Sequence, residues 1–157
     1  MRAIKHFVEF IKNRIVKVQA PDRSRAYFLM QEAENSYALL QEKIQKIGLR
    51  PDTANDYIKS CYDILMELIR AKMLLAGYNA SGQGAHEAEV SYLRVFGLPE
   101  NEVQFADQLR FFRNGMLYYG TILDTEYAEK VIAFTKKMYR KLKKNDINLS
   151  KNTSPRA

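Results

Sequence analysis

Cysteine is almost missing from this sequence, with Cys61 alone among 157 residues. It can form no intramolecular disulfide, and with His6 and His86 as the only histidines no Cys/His zinc cluster can be assembled. Glycine and proline are scarce as well, at seven and four. That argues against the closely spaced turns of an all-β protein and for long helices. No apolar run is long enough to span a bilayer, and Lys5, Glu9, Lys12 and Arg14 interrupt the N-terminus before a signal-peptide core can form. The expected setting is cytoplasmic, with no metal and no cofactor.

What is present is an apolar fraction of 46%, enough for one sizeable core in a chain too short for two ordinary domains. The net charge of +7 is unevenly placed. From Lys136 to Ala157 eight basic residues face one acid, Asp146, so this segment alone accounts for +7. Residues 1–20 carry +4 and residues 21–135 carry −4, giving a mildly acidic body with two basic ends. Such ends point to an acidic partner.

Apolar residues recur at helical spacing along most of the chain. Ile4, Phe7, Val8, Ile11, Ile15 and Val18 predict an amphipathic helix over 3–18, closed by Pro21 and added to the bundle as a unit of residues 1–20. A second helix is expected from Asp22 or Ser24 through Phe28, Tyr37, Leu40 and Ile44 to Gly48. A third follows Pro51, capped by Asp52 or Thr53, and carries Ile58, Cys61, Leu65, Leu68, Ile69 and Leu75 to Gly77. It is the most apolar and should be central. The segment YNASGQGA at 78–85 has glycines but no Lys-Ser/Thr pair, so it fails as a phosphate-cradling P-loop and reads as a mobile connector. Further helices are expected over 86–96, over 100–119 with Phe105, Leu109, Phe112 and Met116 inward, and over 125–144. The expected fold is all-α, an up-and-down antiparallel bundle of about five to six helices. The bundle proper is placed at 22–144 and a disordered basic tail at 145–157.

Several residues look like chemistry and have plainer readings. His86 beside Glu87 and Glu89 lacks the paired Glu-x-x-His motifs of a di-iron site, and is expected to bond the loop that precedes it. Cys61, with no histidine at helical spacing, reads as a buried thiol. The basic N-terminal stripe could lie on an anionic membrane, but packing onto the bundle explains it equally and is preferred. The cluster Lys136, Lys137, Arg140, Lys141, Lys143 and Lys144, interleaved with Tyr139, fits both a dipole-compensating helix end and a phosphate-binding surface.

The run FFRNGMLYYG at 111–120 is less ordinary. Gly115 inside a helical pattern costs about 1 kcal/mol relative to alanine, which suggests a kink or a close backbone approach. Arg113 and Asn114 together offer a guanidinium fork and an amide to a phosphate.

The segment from about Asp22 to Leu142 resembles a HEPN domain (higher eukaryotes and prokaryotes nucleotide-binding). The likeness rests on YDILMELIRAKMLLAGYNASGQGAHEAEVSYL at 62–93 and on LRFFRNGMLYYG at 109–120. It implies a bundle of four or five helices that pairs as a homodimer. Catalytic HEPN proteins are metal-independent ribonucleases with an Arg, often an Asn, and a His four to six residues further on. In such a site the 2′-hydroxyl attacks its own phosphate, histidine moves a proton and arginine stabilises the added charge. Arg113 and Asn114 match the first half of this motif, whereas Tyr118, Tyr119 and Gly120 occupy the histidine positions. Tyrosine, with a pKa of about 10 against about 6.5, is a poor base near neutrality. On an ideal helix Tyr118 and Tyr119 also lie about 140° and about 120° from Arg113, so only a break at Gly115 or a partner chain would unite them. The resemblance therefore implies an RNA- or nucleotide-binding homodimer that has lost efficient cleavage. Arg113 and Asn114 would grip phosphate, Tyr118 and Tyr119 would stack or hydrogen-bond, and the basic tail would add affinity. Two other readings stay open: a slow ribonuclease toxin paired with a nucleotidyltransferase antitoxin, and a dimerising scaffold with no nucleic acid.

Overall fold

The computed structural model describes residues 3–120 and 123–152, the side chains of 117–119 and 144–152 excepted. The described residues form six α-helices and one two-stranded antiparallel sheet. The helices are α1 (Phe7–Lys12), α2 (Arg23–Lys46), α3 (Ala54–Ala76), α4 (Ala85–Ser91), α5 (Glu100–Tyr119) and α6 (Thr125–Asn152), and a 3₁₀ turn, Tyr92–Phe96, extends α4. The strands are β1 (Val16–Val18) and β2 (Tyr78–Ala80), in the register Val16 to Ala80 and Val18 to Tyr78.

The long helices alternate in direction, as short connections require. Where α2 ends, the Tyr57 hydroxyl at the start of α3 donates to the carbonyls of Lys43 and Gly48, and where α2 begins, the Asp22 amide donates to the Leu74 carbonyl. Between α5 and α6, Glu102 pairs with Lys137, Phe105 meets Phe134 and Phe112 meets Tyr127, a descending order that only antiparallel helices give. The core centres on α3, where Tyr57, Ile58, Ile64, Leu65, Leu68, Ile69, Met73 and Leu74 are fully buried. Burial of an aliphatic side chain of this size contributes roughly 1.5–3 kcal/mol. The local signals act as the sequence suggests: Asp22 accepts from the Arg25 amide at 3.1 Å, and Gly77 ends α3 in the left-handed region at φ 86°.

Two expectations are corrected. Residues 3–18 are not one helix. After six residues α1 stops at Asn13, Arg14 takes a positive φ of 60°, and the chain turns into β1. The β-branched Ile15, Val16 and Val18 suit a strand once a partner edge is present, and β2 supplies it from sixty residues away. Tyr78–Ala80 of the 78–85 connector is correspondingly strand. The N-terminal segment completes the core, with Ile4, Phe10 and Val16 buried, and Arg94 holds it by donating to the carbonyls of Ile4 and Lys5 at 2.8 and 2.7 Å. Second, α6 runs past Lys144 to Asn152, because no glycine or proline interrupts the chain before Pro155. The helix expected over 100–119 is α5, which runs through Gly115 and ends at Gly120, whose amide bonds the Gly115 carbonyl.

Candidate nucleic-acid interface

The residues singled out from sequence fall into two places. The first is on α6. Lys136, Lys137, Arg140 and Lys141, with Ala133, line one open groove of about 480 Å³. Their spacing of three and four puts them on the helix face opposite Val131, Thr135, Met138 and Leu142, which are buried. Burying one face of α6 therefore gathers the cations on the other. Lys137 also pairs with Glu102 of α5, so part of its charge is answered within the chain.

Tyr139 and Lys143 turn toward α2. The Tyr139 ring stacks on Tyr37 with centroids 3.8 Å apart and planes 6° from parallel. Lys143 pairs with Glu34 of α2 and holds its ammonium 6.0 Å from the centre of the Tyr139 ring. Burial lowers the Lys143 pKa from its ordinary value. The Lys144 side chain lies outside the described residues.

The second place surrounds Arg113. This side chain is half-buried, and its Nε is enclosed with no hydrogen-bond partner. Asn114, the next residue round the helix, is exposed, so the two do not share one face. Tyr118 and Tyr119 have side chains outside the described residues.

Arg113 looks instead toward α3. Asp63 is exposed there, and burial of its surroundings raises its pKa against the opposing charges of Arg113, Arg70 and His86. Beside it the buried Tyr62 hydroxyl lies 2.9 Å from His86 Nδ1. Burial, with Glu89 adding to it, pushes Tyr62 up to about 12, so it keeps its proton at neutral pH. With that proton retained, Tyr62 donates and His86 Nδ1 accepts. That bond places the ring N–H on Nε2, where it can donate to an incoming group. His86 thus bonds α3 rather than the loop before it, and sits at the second residue of α4. The neighbouring arginines are committed: Arg70 forks onto Glu89 at 2.6 and 3.3 Å, and Arg110 pairs with Asp107 at 2.7 Å.

The sequence reading missed Tyr62 and Asp63 as neighbours of Arg113, since residues fifty apart on different helices share no periodic signal. Arg110 was findable, one turn before Arg113. Cys61 is buried and pushed up to about 11 by that burial, which makes it an inert thiol. No group of three or more metal-ligating side chains is placed to hold an ion among the described residues. Comparison with models of known protein families, with curated proteins and with solved structures gave no match.

Proposed function

We propose that this chain is a HEPN-like bundle that binds the phosphates of RNA or of a nucleotide and has lost efficient RNA cleavage. The observation that carries the reading is the convergence of Lys136, Lys137, Arg140 and Lys141 on one groove. Arg113, half-buried beside Asp63, is the second contact point of this reading. Binding is favoured over cleavage because tyrosines stand at 118 and 119 in place of the motif histidine, and His86 Nδ1 is taken up by Tyr62. Losing a proton shuttle typically removes about 10²- to 10⁴-fold of rate.

The test is incubation of metal-free protein with a labelled mixed-sequence RNA, scoring cleavage and retention together across a salt series. Retention is expected without cleavage, with log affinity falling against log salt at a slope of about −2 to −3, from about −0.7 for each of three or four phosphate contacts. Arg113→Ala should weaken retention. Cleavage that disappears in Arg113→Ala would overturn the reading in favour of a ribonuclease, and neither cleavage nor retention would leave a scaffold.

A further inference from the structure

The corner where β1 passes the chain to α2 holds apolar and cationic side chains together in solvent. Val18, Tyr27 and Phe28 are each 60–64% exposed, and Arg23 and Arg25 between them are exposed as well. The backbone beneath is fixed on the end of α3, because the Gln19 amide donates to the Gly77 carbonyl at 2.8 Å and the Asp22 amide to the Leu74 carbonyl at 3.1 Å. Ala26 and Met30 turn the inner face of α2 into the core. At 100° per residue Phe28 lies about 160° round the helix from Ala26, straight out from the bundle, with Tyr27 and Arg25 on its two flanks. The charge here has one sign. Between Lys12 and Gln31 five basic residues stand against one acid, Asp22, and its carboxylate is taken up in capping α2. Among the described residues neither Arg23 nor Arg25 is drawn into an ion pair.

We propose that this corner docks on an anionic lipid surface, with Val18, Tyr27 and Phe28 entering the headgroup region and Arg23 and Arg25 meeting the lipid phosphates. The inference goes beyond the phosphate-binding reading of α6 and does not depend on it. A tyrosine suits such a boundary, since its ring enters the apolar layer while its hydroxyl stays wet. Arginines beside it are drawn to the negative surface of the leaflet. A stable protein partner needs about 20–30 residues a side, which three apolar side chains do not approach, whereas a bilayer interface admits side chains one at a time. RNA would meet the arginines and the two rings, but Val18 has no π face to offer it. The apolar stripe of the N-terminus is not the contact: Ile4, Phe10 and Val16 are buried in the core, and docking uses what that packing leaves outside. Glu32, one turn beyond Phe28, begins the acidic body and marks the edge of the surface.

The chain contains no tryptophan, so Phe28→Trp places a single reporter in the corner. Leu39→Trp, at an exposed position three turns further along α2, is the control. Each full-length variant, checked by thermal melting, is titrated with vesicles of phosphatidylcholine, with vesicles rich in phosphatidylglycerol and with the mixed-sequence RNA. Emission of Phe28→Trp is expected to shift to the blue on the anionic vesicles alone, while Leu39→Trp stays unchanged. Co-sedimentation with those vesicles should weaken ~5-fold or more in Phe28→Ser. It should weaken ~5-fold for each charge removed in Arg23→Gln with Arg25→Gln, and less at high salt. Both variants should retain RNA as wild type does, which separates this corner from the α6 groove. A wild type that binds the vesicles through Phe28 and retains no RNA would overturn the α6 reading and support this one. Vesicle binding that survives Phe28→Ser, with the Phe28→Trp emission unmoved, would assign the lipid contact to the α6 cations and overturn the inference. A shift of Phe28→Trp on RNA, an equal shift on neutral vesicles or in Leu39→Trp, or no shift at all would overturn it as well.

Discussion

At the scale of single residues the least ordinary group is Lys72, 3% exposed near the C-terminal end of the most apolar helix. Burial pushes its ammonium down from 10.5 to about 8. Below pH 8 the lysine is charged in both states and the folded chain bears the cost of enclosing it. Between about pH 8 and 10.5 the folded chain gives up the proton first, the unfolded chain binds more protons, and stability rises with pH. Tyr62, Tyr92 and Tyr127, each raised to about 12, act in the opposite sense, because their contribution is complete below pH 10 and is lost toward pH 12. Cys61 does the same from 9 to about 11. The difference between wild type and Lys72→Met isolates the lysine. Urea unfolding should show wild type gaining on this variant across pH 8–10.5, by up to about 3 kcal/mol. A difference that stays flat over that window would show that the group does not titrate as described.

At the scale of elements the junction between α3 and β2 is where the N-terminal segment locks on. Gly77 has φ 86°, and a Cβ added there would stand 2.5 Å from the Gln19 carbonyl oxygen. That carbonyl belongs to the residue whose amide bonds Gly77 in return at 2.8 Å, so neither backbone can retreat freely. Gly48, at φ 84°, ends α2 in a similar conformation with nothing within 4 Å of the same position. Gly48→Ala should therefore cost only the left-handed conformation, about 1 kcal/mol. Gly77→Ala adds the clash and should cost roughly 2–3 kcal/mol or more. Chemical denaturation of the two variants gives the comparison, and equal losses would mean that the Gln19 contact yields easily. The same junction shows why helices were legible and β1 was not. Caps and stops such as Asp22 and Gly77 act within a few residues of where they stand, whereas the strand at Val16–Val18 exists only because Tyr78–Ala80 runs beside it.

At the scale of the whole molecule the charge is distributed as a mildly acidic body with a cationic face on α6. Among the described residues no helix is long and apolar enough to cross a membrane. The HEPN-like reading carries an expectation of pairing, and α5 offers a surface for it, with Asn114 exposed and the neighbouring Phe111 ring 67% exposed. Light scattering should then give twice the chain mass of 18.3 kDa, and Phe111→Glu should return it to one. A single-chain mass for the wild type would remove the dimer from the reading. Much of the candidate interface was visible without coordinates, since eight cations after residue 135 need no fold to be counted. That four of them line one groove, while Lys143 is drawn off to Glu34, needed the packing of α6 against α2 and α3.

The sequence by itself determined the helical class, the order and most of the ends of the long helices, and the concentration of positive charge, because propensity, capping and charge count are local properties of the chain. Only the tertiary structure decided that residues 16–18 are a strand, that Tyr139 stacks on Tyr37 and that His86 meets Tyr62. It also set Arg113 near Asp63 of α3. Each of these joins residues far apart in the chain, and their partners are chosen by which faces the core leaves free.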